Sequence, residues 1–205
     1  MFKKLRASST ALTRSSPIIV VSGLPRSGTS MMMKMLAEGG LEVVTDAVRA
    51  ADEDNPNGYF EFEPVKKLVD GQYDWLKSAS GRLVKVISAL LEHLPSAYTY
   101  RIIFMERDVK EILASQQKML ARRSEASKAT DAEMEAQFRE HLKATKYWLA
   151  RQPHMSVKFV DYNQLMLHPD AVCQPIADFL GLPLDVSRML GVPNEQLYRN
   201  RAQGT

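Results

Sequence analysis

Pro17-Ile18-Ile19-Val20-Val21-Ser22-Gly23-Leu24-Pro25-Arg26-Ser27-Gly28-Thr29-Ser30 is the stretch that decides how this chain folds. Residues 18–21 form a short, apolar, β-branched run that ends in a glycine loop, the profile of a buried parallel strand. From Thr29 to Glu38 the chain reads as a helix, closed by Gly39-Gly40. A strand, a glycine loop and a helix start together make a phosphate cradle. Backbone N–H groups and the helix N-terminus point at the anion, and glycine lets the backbone come close. Gly23 and Gly28 have the Walker A spacing, but the lysine that should follow is Thr29; Ser30 holds the Ser/Thr place that touches magnesium. ATP and GTP enzymes use that lysine on the β- and γ-phosphates. Arg26 offers a cation from a different direction. No strand ends in a Walker B Asp, since residues 100–105 run on into Glu106-Arg107-Asp108. The loop suits a phosphate-bearing ligand rather than Mg-ATP hydrolysis.

Outward from the loop, residues 45–58 are acidic and rich in turn formers, with Asn55-Pro56-Asn57-Gly58 as the clearest break. Residues 64–77 read as one helix, with Pro64 acceptable in its first turn. Residues 83–87, 100–105 and 155–160 read as strands. Asp108 reads as an N-cap, followed at helical spacing by Val109, Ile112, Leu113, Gln116, Met119 and Leu120. A longer amphipathic helix is predicted over 131–151. Residues 171–180 read as a helix stopped by Gly181, with Pro183 just beyond. Strands alternating with helices predict an α/β chain: a three-layer, P-loop-type fold with a mainly parallel central sheet flanked by helices. Met31, Met32, Met33 and Met35 point in different directions around a helix. They read as packing rather than as a soft-metal site.

The composition fits one soluble domain over residues 17–205, since 45% of 205 residues are hydrophobic and 25% charged. A formal net charge of +3 is too small to argue for a nucleic-acid partner, though it suits a local anion site. One cysteine, Cys173, rules out an intramolecular disulfide and reads as a reducing, cytoplasmic setting. No apolar run is long enough for a membrane span. The start of the chain carries Lys3, Lys4, Arg6 and Arg14, several Ser and Thr, and no acid. Residues 1–16 are read as a disordered basic tail; the composition is that of a weak transit peptide and lacks a secretory apolar stretch.

Pro25-Arg26-Ser27-Gly28-Thr29-Ser30 resembles the donor-binding loop of the sulfotransferase family, P-[KR]-S-G-T-[ST], whose members use 3′-phosphoadenosine-5′-phosphosulfate (PAPS). The resemblance implies that Arg26, Ser27, Gly28, Thr29 and Ser30 hold the 5′-phosphosulfate. The family's second motif is a strand followed by Arg and, eight residues later, Ser, which hold the 3′-phosphate; Arg107 and Ser115 match it. That spacing is about two helical turns, and a cation and a hydroxyl can share one phosphate. Val157-Lys158-Phe159-Val160-Asp161-Tyr162 is similar to the strand-then-tyrosine segment whose Tyr lies near adenine. In Tyr198-Arg199-Asn200-Arg201, Arg199 and Arg201 match a late basic loop that closes over the 3′-phosphate. The family scheme requires no metal, and no metal-ligand cluster stands out.

Sulfuryl transfer to a hydroxyl requires a base, stabilisation of the moving charge and room for the leaving phosphate. Many family members carry Lys-Thr-His on the preceding strand, with His as base. Lys85-Val86-Ile87 keeps the lysine and loses the histidine, and His93 stands in a different local context. Asp54-Asn55-Pro56-Asn57-Gly58-Tyr59-Phe60-Glu61 resembles the N-P-x-G-[YF]-x-E segment of a bacterial-type branch. Glu61 is therefore the expected base, ahead of Glu63 and His93, with Lys85 assisting the bridging oxygen and Arg26 the moving group. Trp75 and Trp148 read as core or acceptor-pocket aromatics. The expected acceptor is a small molecule, carbohydrate or lipid bearing a hydroxyl or, less readily, an amine; the sequence leaves sugar, lipid, phenol and peptide all open. The chain is somewhat short for the family, and the expectation is that acceptor loops are reduced, or completed by a second subunit in a homo-oligomer. Two other readings remain: a P-loop small-molecule kinase, and a non-catalytic nucleotide-binding protein.

Overall fold

The computed structural model describes residues 16–46, 58–122 and 129–193. Its central strand, β1 (Ile18–Gly23), is buried along its whole length, as an apolar run inside a parallel sheet must be. β2 (Leu83–Lys85) pairs on one side of it and β3 (Tyr100–Glu106) on the other, with β4 (Met155–Asp161) beyond β3. All three pairings are parallel, with Val21 opposite Lys85 and Gly23 opposite Met105.

Successive side chains of a strand point to opposite faces, so β1 feeds two cores. Ile19 and Val21 join Leu83, Ile103, Met105 and Val160 against four helices: α1 (Thr29–Glu38), α4 (Tyr162–Leu167), α5 (Pro169–Leu180) and α6 (Val186–Leu190). Met31, Met32, Met33 and Met35 are all buried in this layer, as packing residues. Ile18 and Val20 join Val84, Val86, Ile102 and Phe104 on the other face. There they meet three 3-10 helices, Glu63–Asp70, Asp74–Ala79 and Ser88–His93, and the end of the helix α3 (Asp131–Leu149). Trp75 and Trp148 pack against this second core. The helix–sheet–helix layering is the α/β architecture read from the sequence.

Several boundaries differ from the reading of the sequence. The single helix expected over 64–77 is two short 3-10 helices. Gly71, at φ +72, caps the first one by donating to Leu68 O, a left-handed cap that ends a helix. Pairing of β2 ends at Lys85 rather than 87, because the chain turns into Ser88–His93. α4 and α6 were not anticipated. Each is short and capped by an aspartate: Asp161 accepts from Gln164 N, and Asp185 from Arg188 N. α5 begins at Pro169, two residues before the expected start, with proline at the first helical position. The predicted N-cap Asp108 accepts from Lys110 N at 2.7 Å as α2 (Val109–Arg122) begins. α3 carries a Thr130/Glu133 capping box and ends at Leu149 rather than 151.

The strand order positions the site. From β1 the chain steps to β2 on one side, then returns past β1 to β3 on the other. Ligands of open parallel sheets bind outside the carboxyl ends of the strands where the order reverses. Here that place is the gap between β1 and β3, and both the glycine loop and Arg107 leave the sheet there.

Candidate functional site

The loop after β1 is tightly drawn. Gly23 lies at φ +146 and Gly28 at φ +98. A Cβ on Gly23 would stand 2.6 Å from Met105 O, and one on Gly28 2.4 Å from Tyr162 Cδ2. Both positions therefore need glycine. Between them Ser27, fully buried, donates its hydroxyl to Leu24 O at 2.7 Å and its N–H to the same oxygen at 3.2 Å. Arg26 occupies the left-handed region at φ +69, a conformation that costs a non-glycine residue about 1–2 kcal/mol. α1 starts from Gly28, which has no side chain to cap it, and has no acidic residue in its first turn. An uncapped, acid-free helix start favours an anion.

Two arginines converge on this loop from different elements. Arg26 Nε donates to Ser115 Oγ at 3.0 Å, joining the loop to α2. Arg107 Nη1 donates to Arg26 O at 3.3 Å, and its guanidinium lies 4.3 Å from the centre of the Tyr162 ring. Tyr162 in turn closes against Gly28, so the ring is buried between the loop and the arginine. Burial is the main cause that pushes the Tyr162 phenol above its ordinary range; Glu111 adds to it, while Arg107 and Arg26 oppose it. The structure thus brings Arg26, Ser27, Gly28, Thr29, Arg107, Ser115 and Tyr162 into one connected set. Arg199 and Arg201 lie outside the described residues, as do residues 54–57 of the segment before Glu61.

Lys85 ties the end of β2 to the same loop. Its Nζ donates to Ser30 Oγ at 3.0 Å and to Tyr59 O at 2.9 Å. The segment carrying Glu61 is consequently held over the strand ends. Phe60 sits at φ +49 within it, and Glu61 O accepts from Thr45 Oγ1 at 2.9 Å and from Asp46 N at 3.4 Å. Glu61 is half-buried. Glu63 differs: its side chain is 51% exposed and ion-paired with Lys66 at 2.6 Å. His93 reaches none of the described site residues by a hydrogen bond; its nearest acidic partner is its own neighbour Glu92, at 3.8 Å.

Some residues at this end of the sheet were not singled out from the sequence. Glu111 pairs with Arg107, and Asn163 donates to Glu111. Their only sequence signal was the four-residue step from Arg107 to Glu111. On the opposite face Ser88 Oγ and His141 Nε2 lie 2.8 Å apart, linking the turn after β2 to α3. Among the described residues no group of three or more His, Cys, Asp and Glu gathers as metal ligands would.

A family model described as the sulfotransferase family matches residues 65–186, more than half of the chain. The chain belongs to the sulfotransferase family. No curated protein matches it in sequence. Among solved structures, mouse sulfotransferase SULT7A1 complexed with PAP superposes with a TM-score of 0.57 at 16% identity, covering 92% of this chain and 67% of that one. The sulfotransferase domain from the curacin biosynthetic pathway superposes with a TM-score of 0.50 at 14% identity, covering 92% and 80%. A sugar kinase from Janibacter sp. covers 82% and 96% at 14% identity, but its TM-score of 0.42 is too low to carry weight. At these identities the likeness is one of fold. As a sulfotransferase-family member the chain is a transferase with the mainly parallel α/β sheet of its relatives. Among the described residues no helix is long and apolar enough to cross a membrane.

Proposed function

We propose that this sulfotransferase-family chain moves a sulfuryl group from PAPS to a hydroxyl of a small-molecule, carbohydrate or lipid acceptor, releasing 3′,5′-adenosine bisphosphate. The observation that carries the reading is the connected set Arg26–Ser115 and Arg107–Arg26 at the gap between β1 and β3. It gathers two cations and a hydroxyl from two elements beside an uncapped helix start. That pattern suits a nucleotide with phosphate groups at both ends of its ribose. ATP carries its phosphates at one end only, and the loop lacks the lysine that would serve them.

In this scheme the N–H groups of residues 27–30 and Arg26 hold the 5′-phosphosulfate, while Arg107 and Ser115 hold the 3′-phosphate. Tyr162 lies on the donor side, and Arg199 and Arg201 remain proposed closing residues. Glu61 takes the acceptor's proton as the acceptor oxygen bonds to sulfur. The bond from sulfur to the bridging oxygen breaks, and its electron pair leaves on the phosphate, beside Lys85. Preorganised cations there are worth more than in water. The support for Glu61 over Glu63 is their setting: Glu61 is half-buried on a segment tied to Lys85, whereas Glu63 is exposed and paired with Lys66. The scheme uses no metal. One working domain from residue 17 onward and a cytoplasmic setting belong to the same proposal, the latter resting on the lone thiol of Cys173.

Calorimetric titration with 3′,5′-adenosine bisphosphate beside Mg-ATP tests the reading. The bisphosphate is expected to bind more tightly, with that advantage lost in Arg107→Ala. Tighter binding of Mg-ATP overturns it in favour of a kinase.

A further inference from the structure

Glu111 is among the least expected residues in the molecule. Its side chain is 2% exposed, on a helix that otherwise buries Val109, Ile112, Leu113 and Ser115. Taking a carboxylate out of water is unfavourable unless its oxygens are paired. Here one oxygen accepts from Arg107 Nε at 2.9 Å and the other from Asn163 Nδ2 at 3.3 Å. A buried ion pair of this kind is weak evidence for stability, since an apolar pair of similar volume often serves as well. Its placement suggests a different use.

We propose that Glu111 is a positioning residue that gives the site its preference for a nucleotide bearing a 3′-phosphate, by fixing the Arg107 guanidinium through Nε. The proposal rests on the reading of Arg107 as the 3′-phosphate cation. Arg107 is gripped on three sides by three elements: Glu111 of α2 at Nε, the Tyr162 ring at the start of α4 against its face, and Arg26 O of the loop at Nη1. With its side chain only 7% exposed, little rotameric freedom remains to be lost on binding. A planar fork already set in one orientation recognises a phosphate by direction as well as by charge. Glu111 also offsets one of the two positive charges contributed by Arg26 and Arg107. General attraction for anions is thereby reduced, and short, directed hydrogen bonds carry more of the recognition. Asn163 forms the outer layer. Its amide nitrogen reaches the Glu111 oxygen that Arg107 does not use.

The test compares 3′,5′-adenosine bisphosphate with 5′-AMP, which lacks the 3′-phosphate, by calorimetry on wild type and variants. Wild type is expected to prefer the bisphosphate. Glu111→Ala is expected to cut that preference about tenfold or more while 5′-AMP affinity stays within about twofold, the scale of one hydrogen bond to a charged group. Glu111→Gln should keep the preference, because its amide oxygen still accepts from Nε. If Glu111→Ala does not fold, Glu111→Asp decides: it keeps the charge but withdraws it by one methylene, and is expected to lose about threefold or more of the preference. A wild-type preference that survives in the folded Ala or Asp variant, or an equal loss for both nucleotides, overturns this proposal alone. A wild type that binds the two nucleotides equally overturns the donor reading and this proposal with it.

Discussion

Arg26 Nε and Ser115 Oγ lie 3.0 Å apart although the residues stand 89 positions apart in sequence. The two ends expected for a two-phosphate clamp are therefore in direct contact, not side by side as independent subsites. Residues that share a hydrogen bond respond to substitution non-additively. A double-mutant cycle of Arg26→Ala and Ser115→Ala, read as calorimetric affinity for 3′,5′-adenosine bisphosphate, is expected to give a coupling of about 0.5–3 kcal/mol. Additive effects would show that the contact is incidental to binding.

Gly28 and Tyr162 set a second test. A methyl at Gly28 would lie 2.4 Å from Tyr162 Cδ2, at a backbone φ of +98. Gly28→Ala is thus strained twice, by contact and by conformation, at about 1–3 kcal/mol for the backbone alone. For a chain of this size that corresponds to a fall in Tm of roughly 3–10 °C. Adding Tyr162→Ala would relieve the contact but not the φ, so no more than part of the Tm should return. Full recovery in the double variant would exclude the backbone strain.

The amino-acid sequence carries much of the fold on its face, and much of what gathers at the candidate site. β1 and its loop are readable because an apolar β-branched run has few alternatives once glycines punctuate it, and Asp108 is readable as a cap. The segment 64–77 is not: Val65, Leu68 and Leu76 are buried as a helix face would be, yet Gly71 breaks the element in a conformation that only the packed chain selects. In the site, Arg26, Arg107 and Ser115 carry motif spacing. The contact of Lys85 with Tyr59 O carries none, because a backbone carbonyl leaves no mark in the sequence. Asn163 is invisible for a related reason. Its partner Glu111 is 52 positions away, and an asparagine at a helix start reads first as a local turn former.

Lys85 supplies a prediction about rate. Its Nζ sits between Ser30 Oγ of the loop and Tyr59 O, within reach of both the α1 start and the Glu61 segment. In its proposed role at the bridging oxygen it would act most strongly as charge develops there. Lys85→Met is expected to lower kcat by about 10²–10³, as loss of one preorganised donor does, with donor KM changed far less. A rise in KM at unchanged kcat would make Lys85 a ground-state binding residue.

Cys173 makes the core layer under α5 measurable. It is buried, and burial, followed by the field of Asp170, pushes its thiol up to about 11. The folded state holds this proton more tightly than the unfolded chain. Its contribution to stability is therefore whole below the ordinary thiol range and is lost as pH rises through about 11. The thiol should resist a disulfide reagent at pH 8 in the native protein and react once urea unfolds it. The urea midpoint should also fall more steeply between pH 9 and 11 in wild type than in Cys173→Ala. Rapid labelling of the native chain at pH 8 would contradict the burial.

Glu61 is the proposed base, and its test must separate chemistry from binding. The segment that carries it is fixed by Thr45 Oγ1 and Asp46 N at the Glu61 carbonyl and by Lys85 at Tyr59 O. These contacts use the backbone, so Glu61→Gln should leave the segment in place. Donor affinity should then stay within about twofold, while kcat falls by about 10²–10⁴, the range assigned to a positioned proton acceptor. Glu63→Gln serves as the control. Glu63 is exposed and bound to Lys66, so its loss should leave kcat within about twofold, as surface changes do. Wild-type kcat in Glu61→Gln would remove Glu61 and turn attention to Ser88 and His141, the buried hydroxyl and the imidazole paired at the same end of the sheet.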